Sequence, residues 1–169
     1  MRKYKYFDNV KKNATFTEQH CQFCGSDNDC LEGVYFEKDN IESVCLECLS
    51  QLKTSVYIPN EIQMKVENDR SGKVSELSLT PPVAWIQNNE WPVCCDDFME
   101  YIGEWDKEDI IRQSGNEDYI TYFQRILEKD TLSRVEDTET LINDLGYDSV
   151  AYVFRCICCK KISIVCQDY

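Results

Sequence analysis

The sequence predicts an α+β protein in two parts: an N-terminal four-cysteine module of zinc-ribbon or treble-clef type, and a mixed domain of helices closed by a C-terminal knuckle hairpin. Three observations predict it. Cys21-x2-Cys24 and Cys45-x2-Cys48 form two pairs separated by twenty residues, the spacing of a four-thiolate zinc site. A third pair, Cys156 and Cys159, lies between two strand-like runs, 150–154 and 162–165. Between these ends, apolar residues recur at helical spacing through residues 106–144.

Composition bounds the function classes. With 43% hydrophobic and 29% charged residues, the chain reads as globular rather than disordered. The opening residues lack the apolar run of a signal peptide, and no stretch approaches the roughly 18 apolar residues of a membrane span. The expected compartment is therefore the cytoplasm. There, the eleven cysteines read as metal ligands and free thiols rather than disulfides. A net charge of −13 argues against nucleic acid, whose phosphates are met by Lys and Arg. Residues 96–148 concentrate the acid, with sixteen carboxylates against five basic residues.

The first twelve residues carry Arg2, Lys3, Lys5, Lys11 and Lys12 around Tyr4, Tyr6 and Phe7, read as a strand or turn with solvated lysines. Two residues between cysteines let a tight turn aim both sulfurs at one ion, and Gly25 supplies the positive φ that turn needs. A strand over Leu31–Glu37, a turn at Asp39-Asn40 and a return strand over Ile41–Cys45 follow. Leu49, Leu52 and Val56 then recur at spacings of three and four, so the second pair opens a helix, favouring the treble clef. The module spans 1–58, and polar residues 59–78 read as a linker.

The second domain, 79–169, opens with the aromatic mass of Trp85 and Trp91. Phe98, Tyr101 and Ile102 share one helical face behind Cys94-Cys95, with Gly103 as terminator. Two or three helices occupy 106–144. Cys156 and Cys159 supply two metal ligands where zinc wants four. Cys95 is the expected third, with Cys94 or Cys158 completing the set, because a helix N-terminus would favour thiolate. An open three-sulfur site with Asp96 or Asp97 as base would instead be a hydrolase centre. The single histidine, His20, adjoins a ligand and reads as a solvated neighbour.

Cys21-x2-Cys24, Val44-Cys45-x2-Cys48, Trp91-Pro92-Val93-Cys94-Cys95-x-Asp97 leading to Gly103, and Phe154-Arg155-Cys156-x2-Cys159-Lys160 together resemble the CbrC family. It is a bacterial family of about this length, named for a member linked to colicin tolerance. The resemblance covers about residues 6–168. It carries histidine where this chain has Cys94 and Cys158, and cysteine where it has Met99.

The expected function is that of a non-enzymatic, zinc-stabilised acidic protein binding a basic protein partner. The setting the resemblance implies is tolerance of, or immunity to, a bacteriocin or nuclease toxin. Toxins that cut nucleic acid are basic, and an acidic surface can be steered into the same cleft. The candidate contact residues are Glu104, Asp106, Glu108, Asp109, Glu117, Asp118, Glu136, Asp137 and Glu139. The alternative is a zinc- or cysteine-dependent hydrolase built on Cys95, Asp97 and the C-terminal knuckle.

Overall fold

The computed structural model describes residues 3–33, 35–37 and 40–169. Arg2 of the basic arm, Val34 of the first expected strand and Asp39 of the expected turn lie outside the described residues. The chain divides into two compact units, Met1–Ala84 and Trp85–Tyr169. Among the described residues, no helix is long and apolar enough to cross a membrane.

In the first unit a short helix α1 (Val10–Asn13) precedes the hairpin β1 (Cys30–Glu32) and β2 (Ser43–Cys45), followed by helices α2 (Leu46–Ser50), α3 (Asn60–Gln63) and α4 (Arg70–Ser78). The hairpin is antiparallel with Leu31 opposite Val44, both fully buried. A side chain at Gly33 would collide with the Ile41 carbonyl oxygen, which lies 1.8 Å from where its Cβ would stand. Only glycine fits that close approach. Tyr4, Tyr6 and Phe7 are buried, so the aromatics of the N-terminal arm are core residues and no stacking surface for bases. The helix expected through Val56 stops at Ser50, because Leu52 takes a left-handed conformation and Val56 bridges Phe36. Within 59–78, where a linker was expected, α3 and α4 form, and Ile62, Val66 and Leu77 are buried.

The second unit contains a two-stranded hairpin, β3 (Val93–Cys94) with β4 (Asp97–Phe98). A three-stranded antiparallel sheet follows, formed by β5 (Glu100–Trp105), β6 (Ser149–Arg155) and β7 (Ile162–Asp168) in that order. Helices α5 (Lys107–Ser114), α6 (Tyr119–Ile126), α7 (Lys129–Arg134) and α8 (Thr138–Asp144) connect β5 to β6. Here the helices number four where two or three were expected.

The helix expected at 94–103 does not exist. Its apolar spacing suits a helix, but the stretch instead forms the β3–β4 hairpin and then enters β5 at Glu100, with Tyr101 opposite Phe154 and a bulge before Gly103. Short apolar runs do not separate the two readings, and burial against the neighbouring strand decides.

Every residue of β6 except Arg155 is buried, because both faces of the sheet are covered. Ala151 and Val153, with Ile164 and Cys166 of β7, pack against Ile110, Phe123, Ile126, Ile142 and Leu145 of the helical layer. On the other face Tyr152 and Phe154 meet Trp85 and Trp91, with Trp85 stacked on Phe154 at 5.9 Å and Trp91 edge-on at 5.4 Å. Tyr101 joins them at 5.4 Å from Phe154.

Gln167 fastens the loop that carries these tryptophans. Its side-chain oxygen accepts from the amides of Ile86 and Gln87, and its side-chain nitrogen donates to the Asn88 carbonyl at 2.7 Å. All of this lies on a residue only 2% exposed. Replacing it by alanine would open a buried cavity and leave the Gln87 amide without this acceptor, while the Ile86 amide would keep only the Tyr152 hydroxyl at 3.1 Å. Gln167→Ala is therefore expected to destabilise the second unit by about 2 kcal/mol, read from the denaturant midpoint of unfolding.

Candidate metal centres

The first centre is built from a knuckle and a helix start. The Gly25 amide donates back to the Cys21 carbonyl at 2.8 Å, closing the turn Cys21-Gln22-Phe23-Cys24, and Gly25 takes the left-handed φ of 73°. Gln22 ties the knuckle to the strand beside it: its amide donates to the Ser43 carbonyl and its side-chain oxygen accepts from the Glu42 amide. Cys45 ends β2 and caps α2, its sulfur accepting from the Cys48 amide at 3.4 Å. Knuckle, hairpin and helix in this order are treble-clef organisation. The sulfurs of Cys21, Cys24, Cys45 and Cys48 all lie within 4.8 Å of one another.

The second centre is built from two hairpin turns. Cys95 and Asp96, both left-handed at φ 54° and 56°, form the two-residue turn between β3 and β4, with Cys94 paired to Asp97 across it. The opposing turn joins β6 to β7. There the Lys160 amide donates to the Cys156 carbonyl at 3.1 Å, the Cys159 amide donates to the Cys156 sulfur at 3.4 Å, and Lys160 stands at φ 62°. This repeats the first knuckle, with lysine in the place of Gly25. Cys94, Cys95, Cys156 and Cys159 again lie with sulfurs within 4.8 Å of one another, Cys94 being 3.6 Å from Cys159 and 3.9 Å from Cys95.

Sequence spacing left the fourth ligand open between Cys94 and Cys158. The structure seats Cys94, and Cys158 is exposed outside the group. Met99 is buried in the sheet-side packing, where its carbonyl accepts from the Trp91 indole at 2.9 Å and its amide donates to Pro92. That clasp positions the Cys94-Cys95 turn, a role for Trp91 that no cysteine spacing signals. Cys30 is buried with its thiol against the Ser26 carbonyl, Cys166 belongs to the helix-facing core, and His20 is exposed. Asp97 accepts from the Phe98 amide at 2.9 Å, a local turn contact.

One thiol in each group is held below its ordinary range by the peptide groups of its own turn and its neighbours. Burial pushes Cys21 up, but hydrogen bonds from the peptide groups of Cys45, Phe23 and Cys24 outweigh it and hold the thiol at about 6. Cys156 behaves alike at about 7, burial being outweighed by the Cys159 amide and neighbouring donors. Burial drives Cys48 and Cys45 upward, and burial with the adjacent thiols puts Cys94 at about 11. Cys95 is pushed up chiefly by the Cys159 and Cys94 thiols. The depressed Cys95 thiol expected from a helix N-terminus is thus corrected, since Cys95 sits in a hairpin turn.

Most of the nine candidate contact carboxylates already have structural work. Asp106 and Asp109 form a reciprocal capping box at the start of α5, and Asp109 also pairs with Arg112. Asp118 caps α6 through Thr121, and Asp137 caps α8 through Glu139 and Thr140. Those backbone and hydroxyl donors hold both carboxyls below their ordinary range. Glu117 pairs with Arg125 at 2.6 Å. Glu104, on β5, meets the Tyr101 side chain, and burial raises its carboxyl above the ordinary range; Glu108, Glu136 and Glu139 remain as exposed carboxylates on or beside the helices.

The fold and the two groups define a two-unit α+β protein with a tetracysteine centre in each unit, each fit to hold a metal ion. The model of an uncharacterised protein family, UPF0167, matches residues 1–168, and the chain belongs to that family. Neither the curated proteins nor the solved structures gave a match.

A left-handed lysine is strained where glycine is not. Lys160→Gly is expected to stabilise the second unit by about 0.5–1 kcal/mol, the relief of strain exceeding the added chain entropy, when metal-loaded protein is unfolded in denaturant.

Proposed function

We propose that the protein is a non-enzymatic, zinc-stapled adaptor whose acidic C-terminal helices bind a basic protein partner. The observation that carries the structural half is the presence of four converging sulfurs in each centre. Four thiolates complete the tetrahedron of zinc, which staples the two turns or the turn and helix that supply them. Thiolates only, with a backbone amide turned toward Cys45 in one set and Cys156 in the other, suit zinc among the divalent ions.

The binding half rests on charge. Residues 96–148 carry sixteen carboxylates and five basic residues, and three of the candidate contacts, Glu108, Glu136 and Glu139, present exposed carboxylates on or beside the helices. Such a field speeds encounter with a basic surface and weakens as salt rises. The resemblance to CbrC proteins supplies the setting, tolerance of a bacteriocin whose nuclease domain is basic. The cytoplasm, where such a domain meets nucleic acid, is the compartment this reading requires.

Chelation tests the staples. Zinc binding at a thiolate site of this kind contributes about 10–16 kcal/mol to folding, so a strong chelator under reducing conditions is expected to abolish the far-ultraviolet dichroism of at least the first unit. Unchanged dichroism after complete metal loss would count against structural zinc.

Charge reversal tests the binding surface. Glu108→Lys, Glu136→Lys and Glu139→Lys together spare the capping aspartates of α5, α6 and α8 and are expected to weaken binding of a basic bacteriocin nuclease domain on the order of tenfold or more, mainly through slower association. Titration calorimetry at low and physiological salt reads it, and equal affinity at both salts with the variant unchanged would remove the proposal.

A further inference from the structure

The two centres differ in how far they admit a reagent. In the first, Cys21, Cys45 and Cys48 are 2–4% exposed and Cys24 alone is open to solvent. In the second, only Cys156 is buried. Cys95 and Cys159 are exposed, and Cys94 is half-buried. Cysteine oxidation follows thiolate character and access, and a metal-bound thiolate has the first without regard to pH.

The positions of the sulfurs decide what oxidation would produce. Cys159 and Cys94 are 3.6 Å apart on opposing hairpin turns. Two turns can close the remaining distance to a disulfide by small adjustments, whereas the adjacent Cys94 and Cys95 share one peptide bond and one tight turn. At the first centre, exposed Cys24 lies 3.7 Å from Cys45 and within 4.8 Å of Cys21 and Cys48, all three of which are buried. Cys45 is buried, paired to Cys30 in the hairpin, and caps α2. Drawing it toward Cys24 would break all three arrangements, and Cys21 and Cys48 are as buried as Cys45.

We propose that the second centre is a site of reversible oxidative modification, in which a hydroperoxide joins Cys94 to Cys159 and thereby releases the metal. The inference rests on the reading of both centres as zinc-loaded. The Cys159 thiolate attacks the peroxide: a sulfur–oxygen bond forms, the oxygen–oxygen bond breaks, and hydroxide leaves and takes up a proton as water. Cys94 then attacks the sulfenic sulfur, forming the disulfide while the sulfur–oxygen bond breaks and a second hydroxide leaves and is protonated. The two sulfurs lose two electrons and the peroxide gains them. Two thiolates, Cys95 and Cys156, remain and no longer hold the ion tightly. A dithiol reverses the change by exchange.

The test uses the full zinc-loaded chain, titrated with hydrogen peroxide in the presence of a chromophoric zinc indicator, with disulfides mapped by mass spectrometry. Expected are two zinc ions before oxidant and release of the first on the order of ten times faster than the second. The released fraction should carry a Cys94–Cys159 disulfide, and zinc should return after treatment with dithiothreitol. Cys158→Ser is expected to change none of this. Release of both ions together, first loss from the N-terminal centre, a Cys94–Cys95 linkage, or protection by Cys158→Ser would each overturn the proposal while leaving the zinc reading intact. Fewer than two ions at the outset would overturn the zinc reading, and this proposal with it.

Discussion

Four sulfurs within 4.8 Å are an unstable arrangement without a cation. As anions they repel, and as thiols they are weak donors crowded against one another, which is why burial and neighbouring thiols raise Cys45, Cys48, Cys94 and Cys95. A divalent ion bound there would convert that liability into the strongest local bond in each unit. The surrounding elements are arranged around it: β1 and β2 are three residues each, β3 and β4 two each, and hairpins so short do not persist on ladder bonds alone.

The two centres reach the same ligand geometry through one shared part. Each includes a knuckle in which the fifth residue is left-handed and donates back to the first cysteine's carbonyl. That conformation turns amides toward the first sulfur, and Cys21 and Cys156 are the two thiols it depresses. The partner of the knuckle differs, a helix start in one unit and a hairpin turn in the other. A helix start buries its cysteines and a hairpin turn presents them, so the contrast in exposure follows from the choice of partner element.

Much of this was legible in the sequence, for reasons that can be traced residue by residue. Cys-x2-Cys spacing is a local constraint, so the knuckles at 21–24 and 156–159 and the strands around the latter could be read directly. Gly25 announced its own φ, whereas Lys160 adopts the same conformation with no compositional sign. The hairpin at Cys94-Cys95 was hidden because Phe98, Tyr101 and Ile102 fit helical spacing equally well. Only the long-range pairing of Tyr101 with Phe154 distinguishes the two. The acidic segment was legible as charge but not as function, since a carboxylate that caps a helix and one that faces solvent are the same letter. Asp106, Asp118 and Asp137 stand immediately before helices, and that is where the chain employs them.

The Gln167 clasp sets an order of events during synthesis. The amides of Ile86 and Gln87 bond to a side chain 81 and 80 residues downstream. At about 5–20 residues per second, the ribosome leaves Trp85 and Trp91 without their sheet for roughly 4–16 seconds. Through that interval the nascent segment exposes aromatic surface and a pair of adjacent cysteines. The four cysteines of the N-terminal centre, complete by Cys48, have no such wait, so the first centre can assemble before a second unit that closes from its far end.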